Sequence, residues 1–373
     1  MKVIHIVEIR GIGGAEKLLL DFLPEQAKEG VDVICIIIYF AEYEDTAIWF
    51  TETLQKGGVK TRKIKLNKLY LLFLLPSKIK KIIFVENPKI IHTHLRLAEL
   101  VIAYLKGFGL KIETCSTIHG FSDKFNFLKI RLYIVRNLLK NFNGLCFVSN
   151  SAFIYYKKHN LINRRSLTAI VNNGYKKELF EKKNNQNKIE NNQSAKLILS
   201  GRLIELKGHK YAIEAMKILL KKYPYLTLDF YGSGPYEDTI LKEISRLSLQ
   251  KSVFLRGFKN NIKYIMQQYD IALVPSSFEA FGLVFLDAFG AKVPVVAFDL
   301  PSGNEIISHE VNGLLAKPFS SQSFADNIER LILDDTLCQI ITKNAFNSLE
   351  TNFSISQMVF KYSSFYNHII NHK

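Results

Sequence analysis

The chain has 373 residues, 48% hydrophobic and 23% charged, with a formal charge of +16 at pH 7. This composition is that of a folded globular protein and excludes a disordered or collagen-like chain. The length exceeds the roughly 100–200 residues of one ordinary domain, so two comparable domains are expected.

No transmembrane span is expected, because the longest apolar runs, Val33–Ala41 and Leu69–Pro76, fall well short of the ~20 residues that cross a bilayer core. The opening stretch MKVIHIVEIRGIGG reads as a buried strand entering a glycine loop rather than as a signal peptide, which predicts a cytoplasmic protein. Cys35, Cys115, Cys146 and Cys338 are far apart and form no C-x-x-C pair. They predict reduced core thiols, with neither a zinc site nor a disulfide framework.

From the N-terminus, KVIHIVE, AEKLLLDFLPEQAKEG and VDVICIIIY alternate an apolar β-branched run, an amphipathic stretch and a second apolar run. Such βαβα order predicts an α/β fold, with parallel sheets covered by helices on both faces. Further strands are expected at Val59–Ile64, Ile90–His94, Ile112–Ile118, Gly144–Ser149 and Leu167–Val171. Residues 1–182 thus make one doubly wound, Rossmann-like domain, and the polar, Asn-rich residues 183–194 make a linker.

The alternation then restarts. Strands are predicted at Lys196–Ser200, Leu226–Tyr231, Val253–Arg256, Ile271–Val274 and Val293–Phe298, with helices at Gly208–Lys222, Pro235–Leu247, Ile262–Gln268 and Gly282–Gly290. A second Rossmann-like domain is expected over residues 195–352. Residues 353–373 predict a C-terminal helix that packs back on the N-terminal domain. In open parallel sheets ligands bind beyond the carboxyl ends of the strands, so two such domains facing across a cleft would line it with loops from both.

The turn after the first strand, Gly11-Ile12-Gly13-Gly14-Ala15-Glu16, opens a helix. Glycines there let a backbone approach a ligand, and free N–H groups at a helix start favour anions, although the same turn serves simple chain reversal. It lacks the full G-x-G-x-x-G spacing, with Glu16 at the third glycine position. Arg202 follows one strand and Lys207 precedes the next helix, two cations at one βα turn that suit a diphosphate. Tyr231–Pro235 (YGSGP) and the Gly257-Phe258 turn each follow a later strand.

The block SSFEAFGLVFLDAFGAKVPVVA places the carboxylate of Glu279, a glycine at a helix start, Gly282, and a second carboxylate, Asp287, in that order. Together with GGAE, S-G-R-L-x-x-x-K-G, Y-G-x-G-P, the G-F turn, V-P-V-V-A and N-G-L-L at Asn312–Leu315, it resembles the retaining glycosyltransferases of family 4, the group 1 glycosyltransferases of GT-B fold. The resemblance spans most of the chain and is strongest from Ser200 to Leu315.

The resemblance implies site residues. Arg202 and Lys207 would bind the diphosphate and stabilise it as a leaving group. Glu279, Phe281 and His119 would contact the donor sugar, His119 through a His-Gly turn directly after a strand. Gly13, Gly14, Gly232, Gly257, Phe258, Gly282, Leu283 and Val284 would line the nucleotide and phosphate, the last three by backbone N–H groups at a helix N-terminus. Asp287 stands where the family has a second glutamate for the ribose hydroxyls; one methylene shorter, it still accepts hydrogen bonds from a diol.

No D-x-D motif accompanies these residues, and His92 and His94 lack a third ligand in the sequence, so neither metal nor cofactor is expected. Retention of anomeric configuration comes from the resemblance; the sequence assigns no carboxylate nucleophile of the kind a double displacement needs.

The implied function is transfer of a hexose or N-acetylhexosamine from a nucleotide diphosphate sugar, UDP being the expected carrier, to a lipid-linked or polysaccharide acceptor. Alternatives within the fold are a nucleotide-sugar 2-epimerase and a catalytically silent sugar-nucleotide-binding subunit. Charge bears on the acceptor side. Residues 1–182 carry 29 Lys and Arg against 16 Asp and Glu, net +13, and the remainder is only +3. Between Lys56 and Lys89 ten cations accompany one acid, Glu86, around Leu69–Leu75. That combination predicts a peripheral site on an anionic membrane surface, at the inner face of the plasma membrane. No nucleic-acid recognition motif accompanies the basic charge, so nucleic acid is not an expected partner.

Overall fold

The structure is a computed structural model and describes residues 1–66, 74–120, 128–176 and 195–372, with the side chains of residues 128–132 left aside. The chain forms two compact units, Met1–Lys176 with Ser354–Lys373, and Lys177–Phe353. The predicted linker 183–194 and most of the apolar run Leu69–Leu75 lie outside the described residues.

Unit 1 runs β1 (Lys2–Ile9), α1 (Gly14–Lys28), β2 (Asp32–Phe40), α2 (Glu44–Lys56), β3 (Lys60–Leu66), α3 (Leu75–Glu86), β4 (Ile90–His94), α4 (Arg96–Gly107), β5 (Glu113–Ile118), α5 (Leu128–Leu139), β6 (Gly144–Phe147), α6 (Asn150–Lys158) and β7 (Leu167–Ile170). Unit 2 runs β8 (Lys196–Ser200), α7 (His209–Leu219), β9 (Thr227–Tyr231), α8 (Glu237–Arg246), β10 (Val253–Leu255), α9 (Ile262–Met266), β11 (Ile271–Val274), α10 (Leu283–Gly290), β12 (Val295–Phe298), α11 (Pro301–Asn304), β13 (Leu314–Ala316), α12 (Ser321–Leu333) and α13 (Asp335–Thr351); α14 (Ile355–Asn371) returns to unit 1.

Among the described residues the unit 1 sheet has seven strands in the order β3-β2-β1-β4-β5-β6-β7, and the unit 2 sheet six in the order β10-β9-β8-β11-β12-β13. Every pairing is parallel. Helices cover both faces, so the central strands are buried at nearly every position and do not alternate. Ile4, Ile6, Ile34 and Ile36 are fully buried in unit 1, as are Leu197 and Leu228 in unit 2, each contributing about 1.5–3 kcal/mol of burial free energy. In each sheet the strand order reverses once, between β1 and β4 and between β8 and β11. The crevice at such a switch point is where open α/β sheets take ligands.

Two differences from the sequence reading have a local cause. The short strand β13 was not expected, because it is only Leu314–Ala316 and is held by pairing with β12. The expected helix Gly208–Lys222 is observed as His209–Leu219: Gly208 takes a left-handed φ of 69° and serves as the N-cap.

Candidate active site

The unit 2 site is assembled by close backbone approaches that only glycine permits. Gly201 N donates to Tyr231 O at 2.9 Å, Leu203 N to Ser233 O at 2.9 Å, and Gly232 N to Gly257 O at 3.0 Å, which laces the turns after β8, β9 and β10 together. A Cβ on Gly232 would lie 1.9 Å from Gly201 O, and one on Gly208 1.9 Å from Pro275 O. The second approach seats the β8–α7 turn against the chain leaving β11, where Ser277 N donates to Leu206 O at 2.8 Å.

That seating brings together two residues 72 positions apart: Lys207 Nζ donates to Glu279 Oε1. The lysine stem passes over Gly201, with Cε 3.3 Å from where a Cβ would stand. Glu279 is buried, and its Oε1 also accepts from Ser276 Oγ at 2.7 Å. Its other oxygen, Oε2, has no donor among the described residues. One oxygen is therefore committed to positioning and the other is left to accept hydroxyls. Arg202 is exposed and has no acidic partner among the described residues.

Gly282, with a φ of 93°, caps α10 without a side-chain hydrogen bond. The N–H groups of Leu283 and Val284 in that first turn have no acceptor among the described residues, and a helix start with free donors suits a phosphate. Asp287 lies one turn further along the helix, 4.0 Å from Lys263 Nζ, a cation the sequence reading did not connect with it. Gly257 has a φ of 70° with open space where a Cβ would stand, and Phe258 beside it is half exposed. The structure thus gathers Arg202, Lys207, Glu279, Gly282, Leu283 and Val284 around the β8/β11 switch point, with Gly232 one strand further out and Gly257 two.

Two of the expected residues make contacts within the chain. The Phe281 ring is 2% exposed and meets Phe353 edge-on at 5.9 Å, so it packs the loop from beneath. Gly13 and Gly14 do sit at the start of α1, but Gly13 N donates to Glu16 Oε2 at 3.0 Å. That bond takes one amide of the helix start and places a carboxylate beside it.

In unit 1 the strand ends carry histidines. Parallel register sets His5 on β1 beside His92 on β4, and His94 beside Thr117 on β5, with His119 just past the end of β5. His5 is therefore a third histidine next to His92 and His94, which correct the expectation that no third ligand accompanies them. The three offer nitrogens within 4.8 Å of one another.

Every ring nitrogen of the three already has a protein partner, which is the signature of a polar network rather than of a vacant ligand set. His5 reaches Gln26 Oε1 at 2.8 Å and His94 Nε2 at 3.0 Å; His94 Nδ1 reaches His119 Nε2 at 3.2 Å; His92 reaches Tyr366 Oη at 2.6 Å and Thr117 Oγ1 at 2.7 Å. Burial disfavours the imidazolium form. It lowers His5 to about 3 and His119 to about 4, and holds His92 and His94 well below the usual histidine range. His119 retains partial exposure at the strand end.

Two parallel, doubly wound units with glycine turns and a paired cation and carboxylate at a strand-order reversal define the GT-B class. The family is also given by sequence. Residues 12–176 match the family model described as Glycosyltransferase Family 4, and residues 180–348 match Glycosyl transferases group 1. Together these take in most of the chain, which belongs to the group 1, family 4-type glycosyltransferases.

The poly(glycerol-phosphate) alpha-glucosyltransferase of Bacillus subtilis strain 168 is 30% identical over 42% of this chain and 23% of its own length. The poly(ribitol-phosphate) alpha-N-acetylglucosaminyltransferase of Staphylococcus aureus strain COL is 27% identical over 44% of this chain and 34% of its own. The chain thus matches only a minor part of either relative. In fold it is similar to Anabaena Alr3699/HepE, solved with UDP and glucose, with a TM-score of 0.83 at 21% identity over 99% of this chain and 100% of that one.

Proposed function

We propose that the protein is a retaining glycosyltransferase that moves a hexose or N-acetylhexosamine from a UDP-sugar to a lipid-linked or polysaccharide acceptor without a metal ion. The observation that carries this reading is the Lys207–Glu279 pair, set beside an exposed Arg202 and the start of α10, which has no side-chain cap. The diphosphate takes the cations Arg202 and Lys207 and the amides of Leu283 and Val284. Glu279 Oε2 accepts from hydroxyls of the transferred sugar, a role its sign allows, whereas contact with the diphosphate would repel. Asp287 accepts from the ribose hydroxyls.

The bond that breaks joins the anomeric carbon to the diphosphate oxygen. Charge develops on that oxygen in the transition state, and pre-positioned cations and amides stabilise it there more than in the ground state. The acceptor hydroxyl attacks the same face, and His119 holds a sugar hydroxyl. The names of the Bacillus and Staphylococcus relatives, which act on polyol-phosphate polymers, and the UDP bound to the Anabaena protein support this choice of donor and acceptor class.

The acceptor side includes an anionic membrane surface. Of the cations between Lys56 and Lys89, Lys60, Arg62 and Lys65 are committed to Asp32, Glu86 and Glu44. The surface proposed here is therefore narrower and lies on α3, where Lys78, Lys80 and Lys81 are exposed with Phe84 and Val85. Among the described residues no helix is long and apolar enough to cross a membrane.

The test is incubation with radiolabelled UDP-glucose, UDP-galactose and their N-acetylated amines, with polyol-phosphate or lipid-linked acceptors and with chelator. Transfer with an α-linkage in the presence of EDTA is expected. Inverted product, dependence on a divalent ion, or conversion of the donor sugar without acceptor would each reject a stated part of the reading.

A further inference from the structure

The row that runs from Gln26 on α1 through His5 and His94 to His119 has a direction. The carbonyl oxygen Oε1 of Gln26 can only accept, so the 2.8 Å contact places the proton of His5 on Nε2. A neutral imidazole carries one N–H and one lone pair. His5 Nδ1 is then bare and accepts across 3.0 Å from His94 Nε2. His94 Nδ1 is bare in turn and accepts across 3.2 Å from His119 Nε2. With all three rings kept uncharged by burial, the orientation of the Gln26 amide sets the direction of the whole row. Gln26, His5 and His94 are at most 1% exposed, so water does not compete for these links.

We propose that Gln26, His5 and His94 are positioning residues that lock His119 in its Nε2–H tautomer and leave His119 Nδ1 as an obligate hydrogen-bond acceptor for a hydroxyl of the donor sugar. The last clause rests on the proposed role of His119 in sugar binding; the tautomer does not. A histidine free to choose would present either an acceptor or a donor and could turn to water. The row removes that choice, and His119 Nδ1 has no partner of its own among the described residues. The selectivity that follows is chemical: a donor sugar offering a hydroxyl hydrogen at this position is held, and one offering only an acceptor, such as a fluoro substituent there, is refused.

The test is a long-range 1H–15N correlation spectrum of the full-length protein with labelled histidine, with the His119 signals assigned from a His119→Asn variant. Wild type is expected to show the Nε2–H pattern for His5, His94 and His119. An Nδ1–H pattern at His119, which would follow if the Gln26 amide presented its nitrogen to His5, overturns the proposal. Gln26→Met removes the anchoring oxygen at similar volume and should mix the two His119 tautomers. Should Gln26→Met not fold, the wild-type spectrum still decides.

Addition of UDP-glucose should move the His119 Nδ1 resonance, and Gln26→Met should raise the donor KM on the order of tenfold, the scale of one ordinary hydrogen bond. A correct tautomer with no response to UDP-glucose would leave the row standing and reject the role of His119 in sugar binding.

Discussion

The two strand-end clusters solve opposite problems. In unit 1 the polar groups of His5, His92 and His94 are buried and each ring nitrogen is satisfied from within the protein. In unit 2 the charges are held by backbone approach, and among the described residues Arg202, one oxygen of Glu279 and the first amides of α10 are left without a partner. A closed network specifies geometry and passes it to a single exit, His119. An open one stores binding capacity. The difference predicts that unit 1 is sensitive to protons and unit 2 to backbone space and to ligand.

The largest effect should come from pH. His5, His92 and His94 stay neutral when folded but take up protons below about pH 6.5 once unfolded. Unfolding therefore binds protons, and stability falls as pH drops from about 6.5 toward 4, by up to about 1.4 kcal/mol per pH unit for each ring. Urea unfolding of unit 1, followed through hydrogen exchange of β4 amides across this range, measures it. A flat profile would mean that the rings are solvated.

Next in size is Gly208→Ala. Its Cβ would meet Pro275 O at 1.9 Å, at a φ of 69°, and the cost should be on the order of 3 kcal/mol or more. Thermal unfolding should show the loss together with weaker UDP binding, because the approach that seats Lys207 against Glu279 is gone. Unit 1 exchange rates should not change.

The smallest effect concerns α3. Exchanging Lys78, Lys80 and Lys81 for Gln should weaken pelleting with phosphatidylglycerol vesicles by about 1 kcal/mol per cation, in a salt-dependent way. Neutral vesicles should show no such dependence. Equal pelleting of variant and wild type would move the membrane surface elsewhere.

Much of the unit 2 site was legible because its residues are contiguous in short motifs: Ser200–Gly208 supplies both cations, and Pro275–Asp287 both carboxylates. The order of strands and helices was legible for a similar reason, since buried parallel strands read as unbroken apolar runs. The histidine row was not. Its members at positions 5, 26, 94 and 119 meet only through strand register and the packing of α1, and the His92 branch depends on Tyr366 from α14 at the far end of the chain. The burial of the Phe281 ring was not legible either, because a motif position fixes where the backbone goes and leaves open which way a ring turns. Nor was the Gly13–Glu16 bond, because a glycine at a helix start signals available amides and not which of them the chain itself takes.

The central claim is that Arg202, Lys207 and the start of α10 form a diphosphate site steered by Glu279. Calorimetric titration of UDP and uridine into wild-type protein and Lys207→Ala tests it most directly. The account predicts that wild type binds UDP far more tightly than uridine and that Lys207→Ala loses most of that difference, a fall in UDP affinity on the order of tenfold to a hundredfold. Equal affinity of the two proteins for UDP, or of wild type for UDP and uridine, would contradict it.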